Sequence, residues 1–482
     1  MRAFPPPSVD EALWRDTLLS SDTETFLAAA RNYLGPVRTP YDKREIVGRL
    51  ASFFRRAEVR SAVVELLDEL DARILGCLFL LGPVSEPRLR SLFVGEMPLF
   101  DLGIRIANLF DRLLIFRFEA GGKRLVAVNP LLSEELGRAV LDPELLFGPP
   151  SRRAAEAGAT AAGPAPSVSG CDASEIAAFF IFLLHTPGAV RKDGSLTKRA
   201  AERAAALLPG QSPERLSSLS RAFEAAGFLG RGEDGRSPSL PAFSAALKSW
   251  GPSLPALLAV RLSNYEERGG EAEAPESDDA ALFGGRVLAE ALAASPRGLV
   301  FSRGGLSRWL GMVAQRARRF AAGESGALAE PGALAAAGEE VALFDPPRLI
   351  PALEELGLAV ALEGKGEEPS SADRLVLAEQ KLASPAESAA PAEPTPQGPI
   401  LVAEGSHALH LLPEASLEER LFVGGLARPT SFGEVWSFEI DRESSRLAFA
   451  AGLDSGGIIE RLEDLAGRPL PQSLSFSLNA WE

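Results

Sequence analysis

Three segments of this 482-residue chain hold almost no large apolar side chains, and they limit what it can fold into. Residues 149–171 read PPSRRAAEAGATAAGPAPSVSGC, residues 266–279 read EERGGEAEAPESDD, and residues 364–398 join GKGEEPSSAD to SPAESAAPAEPTPQG. Such compositions cannot bury enough apolar surface to offset the entropy of ordering, so each reads as a flexible linker. Four blocks remain: 1–148, 172–265, 280–363 and 399–482. The last three are each below about 100 residues, the size of small modules rather than large catalytic domains.

The first block opens with helical spacing in DEALWRDTLL and TETFLAAARNYLG. One longer helix then follows, with Val59, Val63, Leu66, Leu67, Leu70, Ile74, Leu75, Leu78 and Phe79 on a broad apolar face. Gly82-Pro83 ends it. A short helix around Leu89 and Leu92 and a third helix through Leu102, Ile106, Leu109, Phe110 and Leu113 come next. LIFRFE, the pair Gly121-Gly122 and KRLVAVNP complete the block as a hairpin. Helix, short helix, helix, hairpin is the order of a winged helix, a variant of the helix-turn-helix plan.

Block two repeats this order more loosely. IAAFFIFLLH is a very apolar helix, Leu216, Leu219 and Phe223 lie on another, and GRGEDGR makes a short hairpin or loop. Block three again reads helix, helix, helix and a strand-like end at GLAVAL. The expected fold class is therefore mainly α with small β-hairpins: tandem winged-helix-like modules followed by a small α+β domain.

Block four carries the most specific pattern. A strand, a turn and a strand in ILVAEGSHALHLL lead to a helix, and WSFEI (436–440) is a further strand. Ser444 to Ala451 form a helix stopped by Gly452-Leu453, and IIERLE (458–463) a second helix that starts at Asp454 or Ser455. The loop PLPQ (469–472) then leads to an expected short strand ending in Trp481. In this order the block resembles the helicase-associated domain named after the N-terminal region of XPB-type DNA helicases. The Leu-Pro-Gln turn with Trp481 nine residues later is its most specific part. The resemblance covers about the last 85 residues. It implies work beside a helicase but no motor in this chain. Gly122-Lys123 and Gly364-Lys365 lack the glycine spacing of a P-loop, and there is no Asp-Glu-x-His box. A strand halted at Trp481-Glu482 also suggests a truncated chain.

Catalytic chemistry finds little support. His407 and His410 are i, i+3, which on a strand puts one on each face. His185 ends an apolar helix, where the macrodipole favours it. Cys77 lies in the apolar run GCLFLL and reads as core, whereas Cys171 lies in the first linker as an exposed thiol that nothing activates. Glu65, Asp68 and Glu69, and likewise Glu134 and Glu135, sit near arginines on helices and read as solvated faces. No metal site and no cofactor are expected, and the chain is expected not to be an enzyme.

Two sets of cations point to DNA instead. Arg303, Arg308, Arg316, Arg318 and Arg319 crowd SRGGLSRWLGMVAQRARRF, where Arg308, Arg316 and Arg319 fall near one helical stripe suited to phosphate contacts. Arg105, Asn108 and Arg112 lie on the helix before the hairpin, where a winged helix reads a groove, though Asp101 and Asp111 share that surface. The net charge of −15 is a weak argument against such contact because it is unevenly spread. Block four has 6 Lys/Arg against 13 Asp/Glu, while block one is near neutral with 19 against 21. The expected partners are thus DNA and a separately encoded helicase or other nucleic-acid enzyme, in DNA repair or transcription. The competing reading is a protein–protein scaffold without nucleic-acid contact. No 18-residue apolar run is present, so no membrane span is expected. The opening MRAFPPPSVDEALW has no apolar signal core, and with only two cysteines a cytoplasmic home is expected.

Overall fold

The computed structural model describes residues 9–37, 40–120, 122–149, 171–231, 235–267, 278–295, 299–321, 344–362, 374–378 and 398–482. Most of the first two linkers and much of the third thus lie outside the described residues. The architecture is mainly α, with small antiparallel sheets between the helices. Aspartate repeatedly starts those helices. The side chains of Asp10, Asp22, Asp68, Asp172 and Asp441 each accept a backbone N–H of the first turn. Each such cap is worth about 1 kcal/mol, so part of the chain's acidity is structural.

In block one, α1 (Glu11–Ser20), α2 (Thr23–Leu34) and α3 (Lys43–Phe54) pack around Trp14, Phe26 and Phe54, which are fully or almost fully buried. The single helix expected over 59–79 is two: α4 (Ala57–Glu65) and α5 (Glu69–Leu81). Asp68 makes the break, because its carboxylate takes the N–H of Asp71 at 2.8 Å and begins a new helix there. Leu66 is left at the junction, facing solvent rather than the core. α6 (Glu86–Ser91) and α7 (Leu99–Asp111) follow. The hairpin pairs β1 (Ile115–Ala120) with β2 (Lys123–Val128) in the register Arg117↔Val126 and Glu119↔Arg124. Val84 bridges the outer edge of β2 at Val126, so the segment between α5 and α6 ties the hairpin to the helices. α8 (Ser133–Val140) and α9 (Pro143–Phe147) return to pack on α5.

Block two is built on the helix Ala173–Leu184, whose Phe179, Phe180 and Phe182 are fully or almost fully buried. Phe180 stacks on Phe243 at 3.9 Å, and Phe223 and Phe228 pack edge-on around them, so this core is chiefly aromatic. The expected hairpin is present as β3 (Leu229–Arg231) and β4 (Arg236–Pro238); residues 232–234 of its turn lie outside the described residues. Block three holds the helices Asp278–Ala294, Arg303–Ala321 and Pro346–Glu355. Its strands β5 (Val300–Ser302), β6 (Ala359–Ala361) and β7 (Arg374–Leu377) form an antiparallel sheet in the order β5-β7-β6. The central strand therefore comes from within the third linker. Its apolar residues Leu375, Val376 and Leu377 are concealed by the polar composition around them.

Block four carries a four-stranded antiparallel sheet in the order β10-β11-β9-β8, made of β8 (Leu401–Ala403), β9 (Ala408–Leu411), β10 (Arg428–Phe432) and β11 (Trp436–Glu439). The helices Leu417–Leu426, Arg442–Ala450 and Ser455–Ala466 lie where the pattern puts them, with Gly452 beyond the second at φ +88°. The last segment is not a strand. Gln472–Trp481 is a helix, and the expectation of an interrupted strand at the C-terminus falls with it. SLSFSLN alternates like a strand, but Leu474 and Leu478 are also i, i+4, and those two are buried while Phe476 is exposed.

The blocks are packed against one another. The helix Arg303–Ala321 of block three lies on α5 and α9 of block one. A Cβ at Gly305 would stand 1.8 Å from the Phe147 carbonyl oxygen, so only glycine permits this approach. Trp309 meets Phe147 edge-on at 5.2 Å. The helix Ala173–Leu184 of block two lies against Leu417–Leu426 and β10 of block four, with Gly424 pressed to Ile181. The block-two helix Leu254–Glu267 packs on two block-three helices, Asp278–Ala294 and Pro346–Glu355. Among the described residues, no helix is long and apolar enough to cross a membrane.

Candidate functional site

The arginine-rich helix of block three is turned inward. Arg308 is fully buried, and its three nitrogens all bond within the protein. Nε and one Nη donate to the Leu146 carbonyl at 3.0 and 2.7 Å, and the other Nη meets the Glu96 carboxylate. Its guanidinium also lies 5.1 Å from the Phe93 ring centroid. Arg73 of α5, equally buried, holds the other oxygen of Glu96 at 2.7 Å and Glu69 at 2.6 Å, and donates to the carbonyls of Leu145 and Gly148. Burial pushes the Arg308 pKa down to about 10, which still leaves it charged at neutral pH. Arg303 forms a two-pronged pair with Glu354 at 2.7 and 2.9 Å. Arg316 is half-buried, its guanidinium pKa lowered by that burial. The side chains of Arg318 and Arg319 lie outside the described residues. The expected stripe of phosphate contacts is thus corrected at Arg308, which is an interior tie between blocks one and three.

The second cation set does reach a surface. Arg105 of α7 donates to Asp68 at 2.5 Å and to Asp71 at 3.2 Å, and Arg112 donates to Asp71 at 3.1 Å and to the Leu66 carbonyl at 3.3 Å. Burial raises the Asp71 carboxyl pKa, with the Asp68 charge adding to it, while the two arginines pull it the other way. Asp68 is more open; burial works against its charge, but the hydrogen bond and charge of Arg105 together with the backbone N–H groups of Asp71 and Leu70 outweigh it and lower its pKa. The arginines are therefore turned toward the α4–α5 junction, and Asn108 stays exposed beside them.

Between that junction and α7 runs a cleft of about 590 Å³, lined by Leu66, Asp68, Asp71, Met97, Ile104 and Arg105 among others. Exposed apolar side chains border it: Leu66 is 73% exposed and Ile104 54%, and Phe100, 77% exposed, lies one turn before Ile104 on α7. Leu99, 57% exposed, lies instead on the side of Gly103 and Phe110, which meets Arg90 and Arg117. The sequence reading singled out none of Leu66, Phe100 and Ile104 as functional. A signal was present, because Leu99, Phe100, Leu102, Ile104, Ile106, Leu109 and Phe110 cover more of α7 than one core stripe requires.

The histidines and cysteines are structural in this arrangement. His185 Nε2 donates to the Gly424 carbonyl at 2.7 Å, joining block two to block four, and burial lowers its pKa. His410 lies in β9, its Nδ1 3.0 Å from the Ser437 hydroxyl. His407 precedes that strand in a turn at φ +70°, its ring edge-on to Trp481, so the two histidines do not share a strand as expected. Cys77 is core. Cys171 is buried too, not an exposed linker thiol, and burial pushes its pKa up to about 12. Among the described residues, no group of three or more His, Cys, Asp or Glu could hold a metal ion.

A protein-family model described as an N-terminal domain matches residues 1–55, which span α1 to α3. That match lies outside residues 399–482, where the helicase-associated resemblance sits. No curated protein matches the chain.

Proposed function

We propose that this is a non-catalytic docking protein, and that the face of α7 holds a partner protein rather than a DNA groove. The observation that carries this reading is the rim of the cleft. Leu66 and Ile104, with Phe100 one turn before Ile104, face solvent beside it while Arg105 and Arg112 are already engaged by Asp68 and Asp71. A groove-reading helix needs free hydrogen-bond donors aimed outward, whereas exposed aromatic and aliphatic anchors are what protein interfaces bury. The occupant that fits is an amphipathic helix. Its apolar face covers Leu66, Phe100 and Ile104, and basic residues on its flank meet Asp68 and Asp101, two of the three carboxylates that outnumber the two arginines of the cleft.

A helicase or another nucleic-acid enzyme, in repair or transcription, is the class of partner that the resemblance of residues 399–482 suggests. The proposal includes a cytoplasmic setting, which two free thiols support. A labelled amphipathic helical peptide of leucine and lysine tests the face, with its leucine–glutamate counterpart as control. The lysine peptide binds more tightly, and Phe100→Asp weakens it at least tenfold, as loss of an aromatic anchor does. Equal binding of both peptides, or binding indifferent to Phe100→Asp, overturns the reading.

A further inference from the structure

A second surface lies on the hairpin side of the winged module, and its charge is opposite. A cleft of about 380 Å³ opens between α6 and β1–β2, lined by Glu86, Pro87, Arg90, Arg117, Arg124 and Val126. The pairings Arg117↔Val126 and Glu119↔Arg124 put Arg117 and Arg124 on one face of the hairpin, because same-face residues alternate along each strand. Glu86 organises the floor. One of its oxygens accepts from Arg90 at 3.1 Å, and the other accepts from Arg117 at 3.0 Å. Burial alone would raise the Glu86 pKa, but the hydrogen bonds from both arginines outweigh it and keep the carboxylate ionised. Arg117 is further fixed over the Phe110 ring, its guanidinium carbon 3.7 Å from the ring centroid.

Two guanidiniums, those of Arg90 and Arg117, thus share one half-buried carboxylate, and Arg124 stands beside them on the hairpin. The remaining acid, Glu119, is 4.0 Å from Arg124, and both are about three-quarters exposed. An exposed pair of that kind is worth little and opens readily to a competing anion. The contrast with the α7 cleft is one of balance: there Asp68, Asp71 and Asp101 outnumber Arg105 and Arg112, and here Arg90, Arg117 and Arg124 outnumber Glu86 and Glu119.

We infer that this cleft, built from Arg90, Arg117 and Arg124, binds the phosphodiester backbone of a nucleic acid. Arg90 and Arg117 converge on Glu86, and Arg124 stands one register step farther out opposite Glu119, so the cluster suits more than one phosphate of an extended strand. A single phosphate held by Arg90 and Arg117 would leave Arg124 unused. Base edges are not addressed, so the contact positions the strand without reading it. Nucleic acid and partner protein would then occupy opposite sides of α7, and neither site depends on the other.

The test uses the full chain and a short fluorescent duplex together with its single strand. Binding at ~50 mM salt should weaken on going to ~200 mM, with a log–log slope of roughly −2 to −3 on the duplex, as two or three phosphate contacts give. Arg124→Glu, an exposed change, should lower affinity at least tenfold, and Arg117→Glu should do the same. Phe100→Asp should leave nucleic-acid binding unaltered, which separates this site from the docking face. No binding at ~50 mM salt, or binding that both arginine variants retain, overturns the inference. Displacement of the strand by an equal concentration of a phosphoserine peptide overturns the assignment to nucleic acid.

Discussion

At the scale of single residues, environment rather than residue type decides what a side chain does here. Arg308 and Arg105 are both arginines on amphipathic helices, yet one is interior and the other borders a surface cleft. Removing one partner of a buried, hydrogen-bonded ion pair such as Arg308–Glu96 costs roughly 3–5 kcal/mol, because the other charge stays buried without it. His185 offers a cleaner measurement. Its folded pKa lies below its unfolded value, so the unfolded chain binds more protons between the two. The stability it contributes is complete above the unfolded pKa and is lost as pH falls through the folded one. Between about pH 8 and pH 5, wild type should lose more thermal stability than His185→Gln. Equal losses in the two proteins would show that the burial of His185 contributes no pH dependence to stability. Little of this was legible in the sequence. Cys77 as core was, because its neighbours are apolar. The burial of Arg308 and Cys171 was not, since each is covered by a segment far away in the chain.

At the scale of elements, hairpins and amphipathic helices were legible, and the errors have identifiable physical causes. The hairpin β1–β2 follows from alternation around a glycine pair, which is local information. The split between α4 and α5 depends on whether Asp68 caps a helix or rides within one, and periodicity does not distinguish the two. The C-terminal helix Gln472–Trp481 fits either period, and tertiary packing of Leu474 and Leu478 selects one. The seat of Arg303–Ala321 on block one rests on Gly305. Gly305→Ala must push the helix away from Phe147, at a cost of about 1–3 kcal/mol as overpacking usually gives. Two readouts follow: a lower melting temperature, and faster labelling of Cys77, which lies beneath that seat near Arg308. Wild-type labelling of Cys77 together with an unchanged melting temperature would mean that the helix has room to adjust.

At the scale of the whole molecule, composition suggested modules on a string, and the described residues are instead in mutual contact. Block three touches blocks one and two, and block two touches block four. These contacts were hidden from the sequence because interface residues such as Phe147, Trp309 and Ile181 look like ordinary members of their own module's core. A protease site placed within 150–170 gives a direct test. After cleavage, residues 1–149 and the remainder should elute together on gel filtration, held by Arg308, Gly305 and Trp309. Separate elution would show that the interface needs the covalent connection.

The tie between Glu96 and Arg308 joins residues 212 positions apart. At a synthesis rate of about 5–20 residues per second, roughly 10–40 s pass between translation of the two. During that interval block one emerges with Arg73 and Glu96 in place but with Phe93, Leu146 and Phe147 awaiting their cover. The nascent chain therefore passes through a stage in which its first module exposes a charged and aromatic face, which a chaperone or a second nascent chain could engage. Ribosome spacing and translation speed across residues 97–308 thus become determinants of yield, although no residue in that interval need differ in the finished protein.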